Sequence, residues 1–263
     1  MTESELLFTQ ALNCNRANLY FDKGKYLTLS QASFISSVLK RRISGEPIQY
    51  ILGKTEFMGL EFKVNRNVLI PRPETEILVE TALRYAGSLS HAAKRILELG
   101  TGAGCIAVSL AKFLPAFTIV ATDISLGALK VAEDNARLNE VTDKIIFLAS
   151  DLFGSLAMRS KKYTICVCNP PYIPSDEIGK LQPEIQYEPR SALDGGRGGL
   201  DFYRKIIKGS LDYLEDGGIL ILEIGFNQKQ GIEDIFCRFN HFKIIEIIKD
   251  YNKIDRVIIA RKG

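Results

Sequence analysis

The sequence predicts an α/β fold in which a mostly parallel sheet is covered by helices on both faces. From Lys94 onward, continuous apolar runs alternate with helical stretches, which is typical of buried parallel strands. The runs are RILEL (95–99), FTIVAT (117–122), IIFLA (145–149), YTICVC (163–168) and GILILEI (218–224). Two further runs, FKIIEIIKD (242–250) and RVIIARK (256–262), are joined by a short polar turn. They predict an antiparallel hairpin that completes the sheet.

The first 45 residues predict helices. The segment SQASFISSVLKRRISG (30–45) begins at Ser30, a residue type that caps helix N-termini well. It ends with basic residues before Gly45, which is typical of a helix C-terminus.

Between the helices and the α/β part, the sequence predicts extended structure. IQYILG (48–53) and EFMGLEFKV (56–64) are predicted to be strands, the second with a hairpin or bulge near Gly59. Pro73 and the glutamates beside it predict the start of a helix. The resulting division is a helical domain (1–45), a β-hairpin linker (46–72) and an α/β domain (73–263).

The composition limits the classes of function. The chain has 263 residues and a net charge of only +3, which does not indicate stable binding to nucleic acid. No basic leader with an apolar stretch begins the sequence, and no apolar run is long enough to cross a bilayer. We therefore expect a cytoplasmic protein without membrane contact. The absence of a coiled-coil pattern or a large apolar stripe makes a monomer the expected state.

The cysteines are odd in number and mostly have apolar neighbours, so we interpret them as reduced core residues. They are Cys14, Cys105, Cys166, Cys168 and Cys237. Cys166 and Cys168 are two residues apart, but a metal site there would need further Cys or His ligands. The only histidines are His91 and His241. We expect no metal.

A glycine loop follows the first predicted parallel strand in RILELGTGAGCIAVSLA (95–111). GAGCIA (102–107) satisfies a loose dinucleotide pattern, but that match alone is weak evidence. Glu98 lies at the strand end just before Gly100, where its charge would disfavour a pyrophosphate and favour a cation. S-adenosylmethionine, which carries a sulfonium and an ammonium, suits this position better.

Acidic residues also end the next two strands. Asp123 lies about 20 residues beyond the loop, the spacing for a carboxylate that accepts ribose hydroxyls. Asp151 is placed to accept from the adenine amino group while Leu152 packs against the ring. Any one of these acids could simply cap the following loop. Three acids at three successive strand ends favour S-adenosylmethionine.

The stretch NPPY (169–172) ends the fourth parallel strand and should face the methyl donor. The lone pair of an amide or aromatic amine is delocalised and attacks poorly. The Asn169 side-chain oxygen and the Pro170 carbonyl would accept its N–H groups, align the nitrogen and stabilise its developing positive charge. Tyr172 would supply an apolar face for the planar group. We therefore predict a catalytic role for Asn169, Pro170 and Tyr172.

Five segments carry a resemblance to a known family. They are 45–80, LELGTGAGCIAVSLA (97–111), NPPYIP (169–174), YEPRSALDGGRGGLDFYR (187–204) and LEIG (222–225). Together they resemble the PrmC/HemK family, the N5-glutamine methyltransferases of peptide chain release factors. NPPY alone also occurs in adenine-N6 methyltransferases of DNA and RNA.

The resemblance implies a class I S-adenosylmethionine-dependent methyltransferase with a Rossmann-like seven-stranded sheet, a small helical domain that docks the substrate and a hairpin linker. It implies methylation of the glutamine in the Gly-Gly-Gln motif of class I release factors, giving N5-methylglutamine and S-adenosylhomocysteine. The implied contacts to the donor are Gly100, Thr101, Gly102, Ala103, Gly104, Asp123, Leu152 and Asn169. The implied contacts to the substrate glutamine are Asn169, Pro170, Pro171 and Tyr172.

Some interpretations stay open at this level. IPRPETE (70–76), with Pro71 and Arg72, is either a wall of the peptide cleft or only a scaffold. DGGRGG (194–199) is either a lid over the substrate or a plain loop. Adenine-N6 methylation of nucleic acid remains the alternative activity, and a non-catalytic NAD-binding module is a third hypothesis.

Overall fold

The computed structural model describes residues 1–21, 24, 26–88, 94–156 and 162–263; His91 lies outside them. The helices are α1 (Glu3–Leu12), α2 (Arg16–Phe21), α3 (Leu29–Ile43), α4 (Ile48–Leu52), α5 (Pro73–Ser88), α6 (Cys105–Phe113), α7 (Leu126–Leu138), α8 (Asp201–Tyr213) and α9 (Lys229–Arg238). The strands are β1 (Lys54–Phe57), β2 (Leu60–Lys63), β3 (Arg95–Leu99), β4 (Thr118–Asp123), β5 (Ile145–Ala149), β6 (Tyr163–Cys168), β7 (Leu214–Glu223), β8 (Phe242–Lys249) and β9 (Asp255–Lys262).

The N-terminal helices pack around a small apolar core of their own. Its buried members are Leu7, Ile35, Val38 and Ile48. Helix α3 is capped by Thr28, so the prediction that Ser30 caps it is wrong. The Thr28 hydroxyl accepts the Gln31 backbone N–H, and the Gln31 side chain accepts the Thr28 N–H. This reciprocal capping box needs a Gln or Glu three residues after the cap, which fixes the helix start at Leu29.

Residues 48–53 form helix α4 and its C-terminal turn, so the predicted strand there is wrong. Pro47 precedes the helix, and Gly53 ends it in the left-handed region at φ +75°. The spacing of apolar residues in such a short run fits a helix and a strand equally well, so tertiary contacts determine which of the two forms. Tyr50 is buried, and its hydroxyl donates to the Val68 carbonyl.

The predicted hairpin is confirmed. Strands β1 and β2 pair antiparallel, with Phe57 opposite Leu60. Met58 and Gly59 form the turn with φ of +52° and +72°, as a tight two-residue hairpin turn requires. The domain boundaries at 45 and 72 remain a prediction.

The other described strands form one seven-stranded sheet in the order β5-β4-β3-β6-β7-β9-β8. Neighbours from β5 to β7 are parallel, whereas β9 runs antiparallel to both β7 and β8. Alternate strand residues point to opposite faces. Ile96 joins the core under α5, α6 and α7, and Leu97 joins the core under α8 and α9. The predicted mostly parallel sheet with a closing antiparallel hairpin is confirmed.

The strand order places a crevice at one edge. After β3, the chain adds β4 and β5 on one side, and it then returns to add β6 and β7 on the other. The loops that leave the carboxyl ends of β3 and β6 therefore diverge, which is where open α/β sheets bind ligands. Among the described helices, none is long and apolar enough to cross a membrane.

Candidate active site

A cavity of about 390 Å³ lies at the carboxyl ends of β3 to β6, at this reversal of strand order. This volume is within the usual range for small-molecule sites. The lining residues predicted from the sequence are Gly100, Gly102, Asp123, Asp151, Leu152, Asn169, Pro170 and Pro171. The structure therefore brings the glycine loop, two acidic strand ends and the NPPY stretch to one cavity.

The glycine loop presents backbone to this cavity. Gly100 and Gly102 have φ of +70° and +53°, and open space surrounds the position that a Cβ would take at either residue. A ligand can therefore approach their backbone closely. Thr101, Ala103 and Gly104 are not among the lining residues, although they were also predicted to contact the donor.

Those three residues hold the glycine loop in place through contacts with neighbouring parts of the protein. The Thr101 hydroxyl donates to Glu98, and the Ala103 carbonyl accepts from the Asn135 side chain. Gly104 lies against α7, where an added Cβ would come within 3.0 Å of the Ala132 Cβ. They therefore support the loop and do not line the cavity.

Asp123 is held with its carboxylate at the cavity. Its Oδ2 accepts the Gly102 backbone N–H at 2.8 Å, and its Oδ1 accepts the Ser125 N–H at 2.9 Å. Each carboxylate oxygen has two lone pairs, so both can accept a further hydrogen bond from a ligand hydroxyl. This arrangement suits the predicted ribose contact.

Glu98 does not line the cavity, contrary to its expected place beside the donor. It is fully buried, with Oε2 accepting the Thr101 hydroxyl at 2.7 Å and Oε1 without a partner in the described structure. Burial raises its pKa to about 8, against the opposing effect of the Thr101 hydroxyl. The full negative charge expected at this strand end is therefore suppressed near neutral pH.

Asp151 and Leu152 line the cavity after β5, as predicted. Leu152 has φ +47°, an uncommon conformation for a non-glycine residue. The preceding Ser150 is buried, and its hydroxyl donates to the Leu152 carbonyl and accepts the Ser155 N–H. The turn is thereby fixed with both residues at the cavity wall.

Asn169 and Pro170 stand between two cavities. They line the large one and also a neighbouring cavity of about 110 Å³. Pro171 lines only the large cavity and Tyr172 only the small one. Strand β6 is buried along its whole length and ends at Cys168, which positions the prolines at the boundary. The small cavity suits one side chain better than a cofactor.

The DGGRGG loop braces the NPPY stretch. A Cβ on Gly195 would come within 2.8 Å of the Tyr172 Cα, and one on Gly199 would come within 2.0 Å of the Tyr172 carbonyl oxygen. Only glycine permits such close approach. Gln228 also donates to the Tyr172 carbonyl at 2.7 Å. The backbone of this stretch is therefore supported from two sides.

Arg72 lines the small cavity, whereas Pro71 lines neither of the two. The Arg72 guanidinium donates to both oxygens of Glu188, at 2.7 and 2.9 Å. Burial raises the pKa of Glu188, and Arg72 opposes the rise. This ion pair joins the IPRPETE segment to the 187–204 segment beside the small cavity.

Sequence reasoning missed two parts of the wall of the large cavity, one in the linker and one made by Pro189, Ser191, Ala192 and Phe202. Asn67, Val68 and Leu69, at the end of the linker, line it. They lie inside the 45–80 segment that carries the family resemblance, but no residue type among them points to ligand chemistry. Ile124, 66% exposed and also lining the cavity, was passed over because it follows the more conspicuous Asp123.

The cysteine prediction is partly wrong. Cys105, Cys166 and Cys168 are buried and free, but Cys14 is half-buried and Cys237 is exposed. Burial raises the pKa of the three buried thiols, as for inert core cysteines. In the described part of the chain, no three His, Cys, Asp or Glu side chains cluster in a way that could hold a metal ion.

Comparison with known proteins identifies the family. The model of the methyltransferase small domain matches residues 74–187, and that of the PrmC N-terminal domain matches residues 1–53. The release factor glutamine methyltransferase of Thermodesulfovibrio yellowstonii is 43% identical over 262 residues, which covers 99% of this chain and 92% of that protein. The chain belongs to the release factor glutamine methyltransferase family. The family member of Geobacter sulfurreducens is 42% identical and covers 99% of this chain and 89% of its own length.

Solved structures agree with the methyltransferase fold. A methyltransferase from Pyrococcus furiosus has a TM-score of 0.56 at 15% identity, covering 87% of this chain and 99% of that one. The human methyltransferase 10 domain containing protein also has a TM-score of 0.56, at 18% identity, covering 87% and 94%. At sequence identities this low, the structural similarity shows a shared fold and nothing further. The predicted class I methyltransferase fold and the predicted family are confirmed.

Proposed function

We propose that this chain transfers the methyl group of S-adenosylmethionine to the side-chain nitrogen of the glutamine in the Gly-Gly-Gln motif of class I release factors. The placement of Asn169 and Pro170 between the two cavities is the observation that carries this proposal. A donor in the large cavity and a glutamine side chain in the small one would meet at these residues. The names of the relatives supply the substrate class.

The large cavity fits the donor. Gly100 and Gly102 would leave room for its methionine part, Asp123 would offer two oxygens to the ribose hydroxyls, and Asp151 and Leu152 would hold the adenine. When bound, the donor supplies an electrophilic methyl carbon on a positively charged sulfur. The exposed Ile124 offers a second apolar surface for the adenine ring.

The chain's own residues hold and align the nucleophile. The Asn169 Oδ1 and the Pro170 carbonyl accept the two amide N–H groups of the glutamine. This orients the nitrogen and stabilises the positive charge it gains as the new C–N bond forms and the methyl–sulfur bond breaks, leaving S-adenosylhomocysteine. The methylated nitrogen, while it still carries its extra proton, is acidic enough to release that proton to water, so the step requires no strong base.

The substrate class is tested by incubating the protein with radiolabelled donor and a purified release factor. We expect one label per factor, located on the motif glutamine by peptide mass spectrometry. Label that persists when this glutamine is replaced by alanine would reject the proposal. Duplex and single-stranded DNA and RNA serve as alternative substrates, and their methylation without protein labelling would favour the adenine-N6 reading.

A further inference from the structure

The amide of Asn169 is tied to the IPRPETE segment. Its Nδ2 donates to the Thr75 hydroxyl oxygen at 3.2 Å. Thr75 lies in the first turn of α5 and is only 4% exposed. With Nδ2 directed toward α5, the Oδ1 atom is the end of the amide left for the substrate. The hydrogen bond to Thr75 therefore determines that Asn169 offers its Oδ1 atom, and not its Nδ2 atom, to the substrate.

The Thr75 hydroxyl also interacts with a buried acid. It lowers the pKa of Glu223, the last residue of β7, as a neighbouring hydroxyl that can donate to the carboxylate does. A hydroxyl has one proton to donate, so its oxygen has only acceptor capacity left for Asn169. A hydroxyl that donates to Glu223 therefore matches the observed contact, in which the Thr75 Oγ1 accepts from the Asn169 Nδ2.

A contribution to stability does not explain why the Glu223 carboxyl is buried. The side chain is 1% exposed, and its Oε2 has no hydrogen-bond partner in the described structure. The nearby Arg256 forms its ion pair with Asp250, at 3.0 Å. A buried carboxyl with incomplete partners destabilises a fold, so a role in function is the better explanation.

We propose that Thr75 and Glu223 are positioning residues for the reaction: Glu223 accepts the Thr75 hydroxyl proton, Thr75 accepts the Asn169 amide proton, and the Asn169 Oδ1 is thereby aimed and polarised toward the substrate nitrogen. The inference rests on the proposed function of Asn169. Hydrogen bonds in a chain strengthen one another, and a charged end strengthens them further. More negative charge on Oδ1 stabilises the positive charge that grows on the glutamine nitrogen.

This role requires the ionised form of Glu223. Burial raises its pKa to about 7, while the Thr75 hydroxyl, Arg256 and Arg72 lower it and Glu74 raises it. Tyr172 and Tyr203 also face this carboxyl. The carboxylate accepts from Thr75, whereas the protonated acid competes as a donor. Turnover should therefore rise with pH as Glu223 loses its proton.

The test compares Thr75→Val, Thr75→Ser and Glu223→Gln with the wild-type protein. Thr81→Val is the matched control, because Thr81 is a buried threonine of the same helix whose hydroxyl donates only to the Ile77 carbonyl. Turnover and KM for the release factor are measured from pH 6 to 9, with calorimetric affinity for S-adenosylhomocysteine and thermal melting.

We expect Thr75→Val to lower kcat about 10-fold, Thr75→Ser to stay within threefold of wild type, and affinity for S-adenosylhomocysteine to change little. In Glu223→Gln, the rise of kcat with pH should disappear. Two results would overturn the inference: a folded Thr75→Val with wild-type kcat, or a Glu223→Gln variant that keeps the pH dependence. If Thr81→Val or Thr75→Ser loses as much as Thr75→Val, the role is packing and the inference is wrong. A wild-type protein inactive on release factors would instead refute the proposed function.

Discussion

The Asp123 carboxylate accepts the Gly102 backbone N–H at 2.8 Å, which ties the end of β4 to the glycine loop after β3. The same carboxylate accepts the Ser125 N–H at the start of α7. The acid is therefore oriented by its neighbours in the chain before any ligand binds. An acceptor held in place this way loses little conformational freedom on binding, which favours affinity.

We expect Asp123→Ala to weaken binding of S-adenosylhomocysteine by roughly 10- to 100-fold, because two charge-assisted hydrogen bonds to the ribose are lost. Titration calorimetry measures this. Asp143→Ala, which removes an exposed acid from the turn between α7 and β5 that does not line the cavity, is the control and should bind normally. Affinity of Asp123→Ala within twofold of wild type would contradict the assignment.

Asn169→Ala should have the opposite profile. Turnover should fall by at least ~10²-fold, because the acceptor that aligns the substrate nitrogen is removed. Binding of S-adenosylhomocysteine should stay within a few-fold of wild type. Steady-state kinetics and calorimetry on the same preparation measure both. If Asn169→Ala lost mainly donor affinity and Asp123→Ala mainly turnover, the proposed division of roles would be reversed.

The predicted docking role of the helical domain has its own test. Phe21 and Leu29 are 86% and 92% exposed on α2 and α3, so both large apolar side chains are available for contact with a partner protein. We expect Phe21→Ser with Leu29→Ser to raise KM for a full-length release factor several-fold and to leave kcat unchanged. KM for a short Gly-Gly-Gln peptide should not change.

Tyr251→Ser provides the matched control for this pair, since Tyr251 is 94% exposed on the turn between β8 and β9. It should alter neither KM. Equal losses with the peptide and the full-length factor would show that the double variant damages the catalytic domain, and docking by this surface would then be wrong.

Gly104→Ala should destabilise the protein by about 2 kcal/mol or more. Its φ of +81° disfavours a side chain, and the new Cβ would press on the Ala132 Cβ at 3.0 Å. Urea unfolding measures the change. Gly87→Ala, where a Cβ on α5 meets nothing within 4 Å, should instead stabilise by up to about 0.5–1 kcal/mol. Equal effects of the two substitutions would contradict the packing argument.

The stability of the ligand-free protein should fall as pH rises from about 5 to 8. Glu98 has a folded pKa of about 8, above its ordinary value of 4.5, so the folded state holds a proton that the unfolded chain has lost. For each such group, the free energy of unfolding falls by about 1.4 kcal/mol per pH unit between the pKa in the unfolded chain and the pKa in the folded protein. Glu98→Gln should reduce this slope of stability against pH. The slope that remains up to pH 7 comes from the raised pKa of Glu223. Urea unfolding at several pH values measures it, and an unchanged slope in Glu98→Gln would refute the assignment.

The parallel strands, the closing hairpin and the NPPY stretch could all be predicted from the sequence, because each leaves a local pattern. A continuous apolar run such as YTICVC is typical of a strand buried on both faces. Consecutive prolines cannot lie inside such a strand, so they must follow its end. The acids at 123 and 151 were found by their positions after such runs. The IQYILG segment was mispredicted because a run this short, with four apolar residues, fits a helix and a strand equally well.

By itself, the sequence determined the order of elements, the residue types at the strand ends and the family. Only the tertiary structure decided which of those residues reach the cavity: Glu98 is buried beneath it, whereas Asn67 lines it. The tertiary structure likewise brought Thr75 to Asn169, 94 positions away along the chain. Strand periodicity is a local property, but burial and hydrogen bonding between distant segments arise from packing, which no short stretch of sequence encodes.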